Sequence, residues 1–124
     1  MVANRGEIAV RVQKTLKTLG ITTVAVYSDS DATAPHVLMA DEAWPLEGQS
    51  AAETYLDMEK IITIARQCGA EAIHPGYGFL SENPKFARTC ADAGIVFIGP
   101  SPESMEALGD KISSKELAQQ AGAP

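Results

Sequence analysis

Apolar positions along this chain follow two rhythms that take turns. Val2 and Ala3 read as the end of a short buried strand, and Asn4-Arg5-Gly6-Glu7 follows at once. A helical stretch comes next, with Ile8, Val12, Leu16 and Leu19 on one face and Gly20 as the closing C′ residue. Ile21 to Tyr27 is dense in β-branched residues and runs into the polar Ser28-Asp29-Ser30-Asp31, which predicts a second strand. A crossover of this length favours parallel strands joined with a right-handed connection. Glu42 to Leu46, with Trp44 and Pro45, predicts a short edge strand, because a central ladder does not accept proline. From Ala51 to Gln67 the spacing of Leu56, Ile61, Ile64 and Ala65 predicts a helix with a broad apolar face, stopped by Cys68-Gly69.

Ala70 to His74 then reads as a buried strand. His74 to Asn83 reads as a loop, since Pro75, Gly76 and Gly78 sustain neither ladder nor helix. Asn83-Pro84 predicts a helix with Asn as N-cap and Pro in its first position, running to Gly94. The unbroken apolar run Ile95 to Ile98 predicts an interior parallel strand. Two short helices are predicted last, Pro102 to Leu108 and Ser113 to Gly122, around Gly109-Asp110-Lys111. The alternation defines an α/β domain: an open, mainly parallel sheet with helices on both faces. Ligands of such sheets bind beyond the carboxyl ends of the strands. Three βα turns fall there: Asn4 to Glu7, Pro75 to Asn83, and Gly99 to Ser101.

The length of 124 residues suits one domain, and 45% hydrophobic against 21% charged residues is a globular composition. Ten Lys and Arg face 16 Asp and Glu, a net charge of −6, which argues against nucleic acid as a partner. Cys68 and Cys90 have neither C-x-x-C spacing nor a cluster with His36 and His74, so they read as reduced thiols and no metal ligand is assigned. No apolar run reaches the about 20 residues of a spanning helix and no signal pattern opens the chain, so a soluble cytoplasmic or mitochondrial protein is expected, with no membrane partner.

Asn4-Arg5-Gly6-Glu7 stands where a dinucleotide-binding fold carries G-x-G-x-x-G, but it has one glycine, and after Gly76-Tyr77-Gly78 the third glycine position holds Ser81. Both departures count against a dinucleotide site. Glu7 and Arg11, four apart on the first helix, are spaced for a surface ion pair. The Pro75 to Asn83 loop is the better candidate site, because Tyr77, Phe79, Glu82 and Asn83 gather aromatic and hydrogen-bonding groups at a helix entrance. Lys111 sits at a helix start, where a positive charge hints at an anionic ligand. His36 reads as surface structure in a polar loop, and His74 as either a satisfied core histidine or a ligand contact.

Val2 to Ala9, Ala25-Val26-Tyr27-Ser28-Asp29, Ala40-Asp41-Glu42, the uninterrupted His74 to Asn83 (HPGYGFLSEN), Phe97-Ile98-Gly99-Pro100 and Gly109-Asp110-Lys111 together closely resemble the N-terminal part of biotin carboxylase, in order and over essentially the whole chain. The loop HPGYGFLSEN separates that family from other ligases of the ATP-grasp superfamily. The resemblance implies a Rossmann-like, pre-ATP-grasp domain at 1–109, with 110–124 beginning the connection to an ATP-grasp portion beyond Pro124. It implies an ATP-dependent ligase that carboxylates biotin on a carrier protein, the first half-reaction of an acyl-CoA, pyruvate or urea carboxylase. In the family, bicarbonate attacks the ATP γ-phosphate to give carboxyphosphate, which breaks down and delivers CO2 to the ureido nitrogen of biotin.

By motif match, Lys111 is the ATP-contacting lysine, Tyr77 and the Gly78 backbone approach biotin, and Glu82 and Asn83 line the same cleft. Arg11 matches a dimer contact of bacterial members, whereas Lys14 and Thr18 differ from the Arg and acid of a familiar form. ATP, magnesium and biotin are the implied cofactors; the biotin carrier domain and carboxyltransferase are the implied partners, in a parent that can be a homo-oligomer. The lid, metal-binding carboxylates and bicarbonate-handling residues of the family lie beyond Pro124, so no catalytic residue is assigned and the chain alone is expected to be inactive. The alternative is a non-catalytic binding or assembly module of the same fold.

Overall fold

A computed structural model describes residues 1–108. Helix α1 (Gly6–Thr18) is followed by strand β1 (Val24–Tyr27), a 3-10 turn at Asp29–Asp31, the short helix α2 (Pro35–Leu38) and strand β2 (Glu42–Pro45). Helix α3 (Met58–Gln67), strand β3 (Ala72–Ile73), helix α4 (Pro84–Asp92) and strand β4 (Val96–Phe97) complete the series, and residues 102–108 are helical.

β1 pairs in parallel with β2, and β3 in parallel with β4. Val2 bridges Ala25 on one side and His74 on the other, so the N-terminal segment is the middle strand joining the two pairs. In chain order the strands lie third, second, first, fourth, fifth, the Rossmann arrangement. Helix α1 packs with α2 and α3 with α4, as the right-handed crossovers require. Val26, Leu46, Ile61, Ile73 and Phe86 form the heart of the core.

The turn chemistry follows the sequence closely. Each of α1, α3 and α4 ends in a Schellman motif, with Ile21, Ala70 and Ile95 donating their N–H to the carbonyls of Leu16, Ala65 and Cys90 at 2.9 Å. Asn83 caps α4 by accepting the N–H of Phe86 at 3.1 Å, with Pro84 in the first turn. The entry to β1 is latched to the entry to β2: Asp41 Oδ2 accepts the Thr23 N–H at 2.7 Å, and the Asp41 N–H returns to Thr23 Oγ1 at 3.1 Å.

Four expectations are corrected. On α1 the buried residues are Ala9 and Gln13, whereas Ile8 and Leu19 are exposed. Small Ala9 permits close approach, and Gln13 donates from Nε2 to the carbonyl of His36 at 2.8 Å, so contact with α2 runs one residue beyond the apolar stripe. Helix α3 starts at Met58 rather than Ala51, capped by Asp57, which accepts the Lys60 N–H at 3.1 Å. Ser50 and Glu53 do form a reciprocal capping box, but the turn they begin ends by Leu56, after Thr54 and Tyr55 have turned inward. β4 pairs only with β3 among the described residues, so it is an edge strand with Val96 63% exposed. His36 is buried rather than surface: it lies on α2 with its Nε2 at 3.2 Å from the carbonyl of Val26.

That burial holds His36 neutral, pulling its pKa below the ordinary value. The unfolded chain therefore binds this proton more readily than the fold does, and stability present above about pH 6.5 declines as the pH falls through and below that value. Urea midpoints measured from pH 7.5 to pH 5 are expected to fall, and His36→Gln, which keeps a donor for Val26 without a titrating ring, is expected to flatten the slope. An unchanged slope would exclude His36 as its source.

Candidate functional site at the reversal of strand order

The strand order reverses between the N-terminal segment and β3, and the loops leaving these two strands, Asn4 to Gly6 and His74 to Asn83, meet beyond their carboxyl ends. Asn4 is fully buried and joins them. Its Nδ2 donates to the carbonyl of Pro75 at 2.9 Å and to that of Tyr77 at 2.8 Å, and its Oδ1 accepts the Arg5 N–H at 2.8 Å. Gly76 lies between the two carbonyls with φ 69°, and a Cβ there would stand 2.6 Å from Asn4 Nδ2. Neither the left-handed conformation nor the space admits a side chain.

The neighbouring strand end supplies a second support. Arg5 donates from Nε and Nη2 to the two oxygens of Asp31 at 2.6 and 2.8 Å. Tyr55 donates its hydroxyl to Asp31 Oδ2 at 2.7 Å and accepts the Ser28 N–H at 3.2 Å. Its ring stacks on Phe79 with centroids 5.2 Å apart. Phe79 carries φ 42°, unusual for a residue with a side chain, and this stack holds it there. The hydrogen bonds from Arg5, with help from Tyr55, keep the Asp31 carboxyl far below the ordinary carboxylate range against the opposing effect of burial. Burial and the hydrogen bond to Asp31 push the Tyr55 phenol up to about 12.

The residues singled out from sequence fall into three groups. Tyr77 and Gly78 lie at the tip of the loop, Tyr77 77% exposed, held through backbone rather than side chain. Glu82 is exposed on the same loop, and Asn83 caps α4 through its Oδ1. Arg11 is exposed on α1 and forms no ion pair with Glu7: among the described residues the ion pairs are Arg5–Asp31 and Arg88–Glu106. Lys111 and the helix predicted at Ser113 to Gly122 lie outside the described residues. His74 is half-buried and uses Nδ1 to accept the Gly76 N–H at 3.0 Å, with burial lowering its pKa, so it is a neutral brace of the loop.

Sequence reading passed over Asn4, Arg5, Asp31 and Tyr55 as site components. The departure from G-x-G-x-x-G at Asn4 was a signal: a buried amide stands where a dinucleotide fold needs bare backbone. Cys68 and Cys90 are free thiols, and burial pushes the Cys90 thiol up to about 11. No helix among the described residues is long and apolar enough to cross a membrane.

Fold and loop together define a Rossmann-like domain that carries a braced glycine-aromatic loop where its strand order reverses. The family described as biotin carboxylase, N-terminal domain, matches residues 1–105. Urea amidolyase of Saccharomyces cerevisiae is 58% identical over 124 residues, 100% of this chain and 7% of that protein. Biotin carboxylase of Halalkalibacterium halodurans is 52% identical over 124 residues, 100% of this chain and 27% of that protein. Among solved structures, the K. lactis urea amidolyase superposes with a TM-score of 0.88 at 55% identity, covering 99% of this chain and 7% of that one. The biotin carboxylase domain of a thermophilic 2-oxoglutarate carboxylase bound to bicarbonate gives 0.85 at 55% identity, covering 99% and 28%. The chain belongs to the biotin carboxylase N-terminal domain family, and it spans a minor share of each of these relatives.

The Arg5–Asp31–Tyr55 cluster yields a stability prediction. A carboxylate whose folded pKa is depressed contributes stability that is complete above its unfolded pKa of about 4 and is lost as the pH falls towards the folded value. Asp31→Asn is expected to lower stability at pH 7 by on the order of 2 kcal/mol, a value kept modest because Arg5 is half exposed. The deficit should shrink below pH 4 in paired urea titrations; a deficit constant with pH would contradict the ionic origin.

Proposed function

We propose that this chain is the first domain of an ATP-dependent biotin carboxylase, which uses bicarbonate to carboxylate biotin on a carrier domain and hands it to a carboxyltransferase acting on an acyl-CoA, pyruvate, 2-oxoglutarate or urea. The observation that carries the reading is the HPGYGFLSEN loop, braced at the reversal of strand order in a chain of this family.

The loop has the chemistry that a biotin bicycle asks for. Tyr77 offers an exposed ring for an apolar ring system, and beside it the Gly78 N–H takes no partner among the described residues and is free to donate. Glu82, exposed on the same loop, is a further polar group. Lys111 is the residue assigned to the nucleotide, where a fixed positive charge would neutralise phosphate oxygens. Magnesium would accompany ATP, held by residues beyond this chain: among the described residues no three His, Cys, Asp or Glu side chains group for a metal. Residues 1–109 form the domain and 110–124 lead into the ATP-grasp portion, so the chain by itself is inactive in this reading. Arg11, exposed on α1, is assigned to a contact between copies of the parent.

In a complete carboxylase carrying these residues, ATP hydrolysis that depends on bicarbonate and free biotin is the measurement. Tyr77→Ala, at an exposed position where stability is insensitive, is expected to raise KM for biotin about tenfold, a loss of about 1.4 kcal/mol, with KM for ATP within about twofold. Equal losses for both substrates would contradict the assignment of the loop to biotin.

A further inference from the structure

We infer that Asn4 is a positioning residue for substrate: by holding the Tyr77 carbonyl it fixes the plane of the Tyr77–Gly78 peptide and thereby the direction in which the loop offers its Gly78 N–H and Tyr77 ring. The inference rests on the reading of the loop given under the proposed function.

The argument begins with the amide itself. Asn4 is buried, and one nitrogen spends both hydrogens on carbonyls two residues apart, at 2.9 and 2.8 Å. Its oxygen is occupied by the Arg5 N–H, so a flipped amide would oppose oxygen to two carbonyls and is excluded. Next comes covalent geometry. A trans peptide is planar and sets its C=O and N–H in opposite directions, so a Tyr77 carbonyl drawn towards Asn4 turns the Gly78 N–H away from Asn4. That N–H has no partner among the described residues.

The backbone around this peptide would not hold the direction unaided. Gly76, Gly78 and Phe79 all have positive φ, of 69°, 73° and 42°, and the two glycines have wide conformational freedom. The loop is pinned on both sides of the peptide. Asn4 grips it before Gly78, and the Tyr55 ring, anchored through its hydroxyl on Asp31, stacks on Phe79 after it. Of the two, Asn4 alone touches the peptide that carries the free donor.

Asn4→Asp in the complete carboxylase keeps the side-chain shape and removes both donated hydrogens. Expected are a rise of about tenfold in KM for free biotin, a smaller change in kcat, and KM for ATP within about twofold. Asn4→Ala serves as the second variant should the buried carboxylate prevent folding, and the same split is expected. The double variant with Tyr77→Ala separates the two things that Asn4 aims. Tyr77→Ala keeps the carbonyl that Asn4 holds and the Gly78 N–H, so adding Asn4→Asp to it still raises KM for biotin, by less than it does alone because the ring's share is already lost. Equal increases in KM for biotin and ATP, or an Asn4→Asp variant with unchanged KM for biotin, would overturn the positioning role and leave the biotin assignment of the loop standing. A Tyr77→Ala variant with unchanged KM for biotin would instead overturn that assignment, and this inference with it.

Discussion

The order of this molecule at the carboxyl edge of its sheet depends on one buried side-chain amide. The middle strand ends at Ala3, and the next residue, Asn4, joins the first βα turn to the fourth strand's loop by three hydrogen bonds to main chain. A Rossmann sheet opens a crevice where its strand order reverses, because the two crossovers there leave in opposite directions. In a dinucleotide-binding member that crevice admits a pyrophosphate against bare glycine backbone. Here Asn4 fills it, and Gly76 is bare so that Asn4 can approach. The same topological opening is thereby converted from a phosphate cradle into a mount for a loop.

The Arg5–Asp31–Tyr55 cluster is the complement of that mount. Asp31 is almost wholly buried, a placement whose desolvation cost is offset only by several good hydrogen bonds. It has them from a two-pronged guanidinium and a phenol. The result is a rigid post behind Phe79. Buried ionic clusters are weak evidence for stability, but this one joins the ends of two strands to a third segment and so fixes geometry at the carboxyl ends of the strands.

Much of the fold was legible because it is written locally. Asn83-Pro84 announces a helix start, Gly20, Gly69 and Gly94 announce helix ends, and the β-branched run before Tyr27 announces a strand. Each depends on residues within one turn of each other. Legibility failed where a tertiary contact decided the outcome. The apolar stripe of α1 is real, yet Gln13 is buried because the carbonyl of His36, 23 positions away, accepts its amide. His36 looked like loop because Pro35 precedes it, whereas Pro35 is the first residue of a helix whose histidine bonds to the neighbouring strand. The run from Ile95 to Ile98 had the composition of an interior strand, but composition does not say how many neighbours a strand has.

The site divides along the same line. The loop stood out as a candidate site because Pro, Gly and aromatic residues in close succession are costly to maintain and carry little packing value of their own. Its supports did not, because Asn4 bonds to residues more than 70 positions away and Tyr55 reaches Asp31 across 24. Asn83 marks the boundary between the two kinds of information. It belongs to the family's loop motif, and its Oδ1 accepts the Phe86 N–H, a role readable from the Asn-Pro pair alone. A motif residue can therefore be present because it starts the helix that ends the loop. In this motif Tyr77 and Gly78 are exposed at the tip, and much of the rest is spent on holding the loop in place.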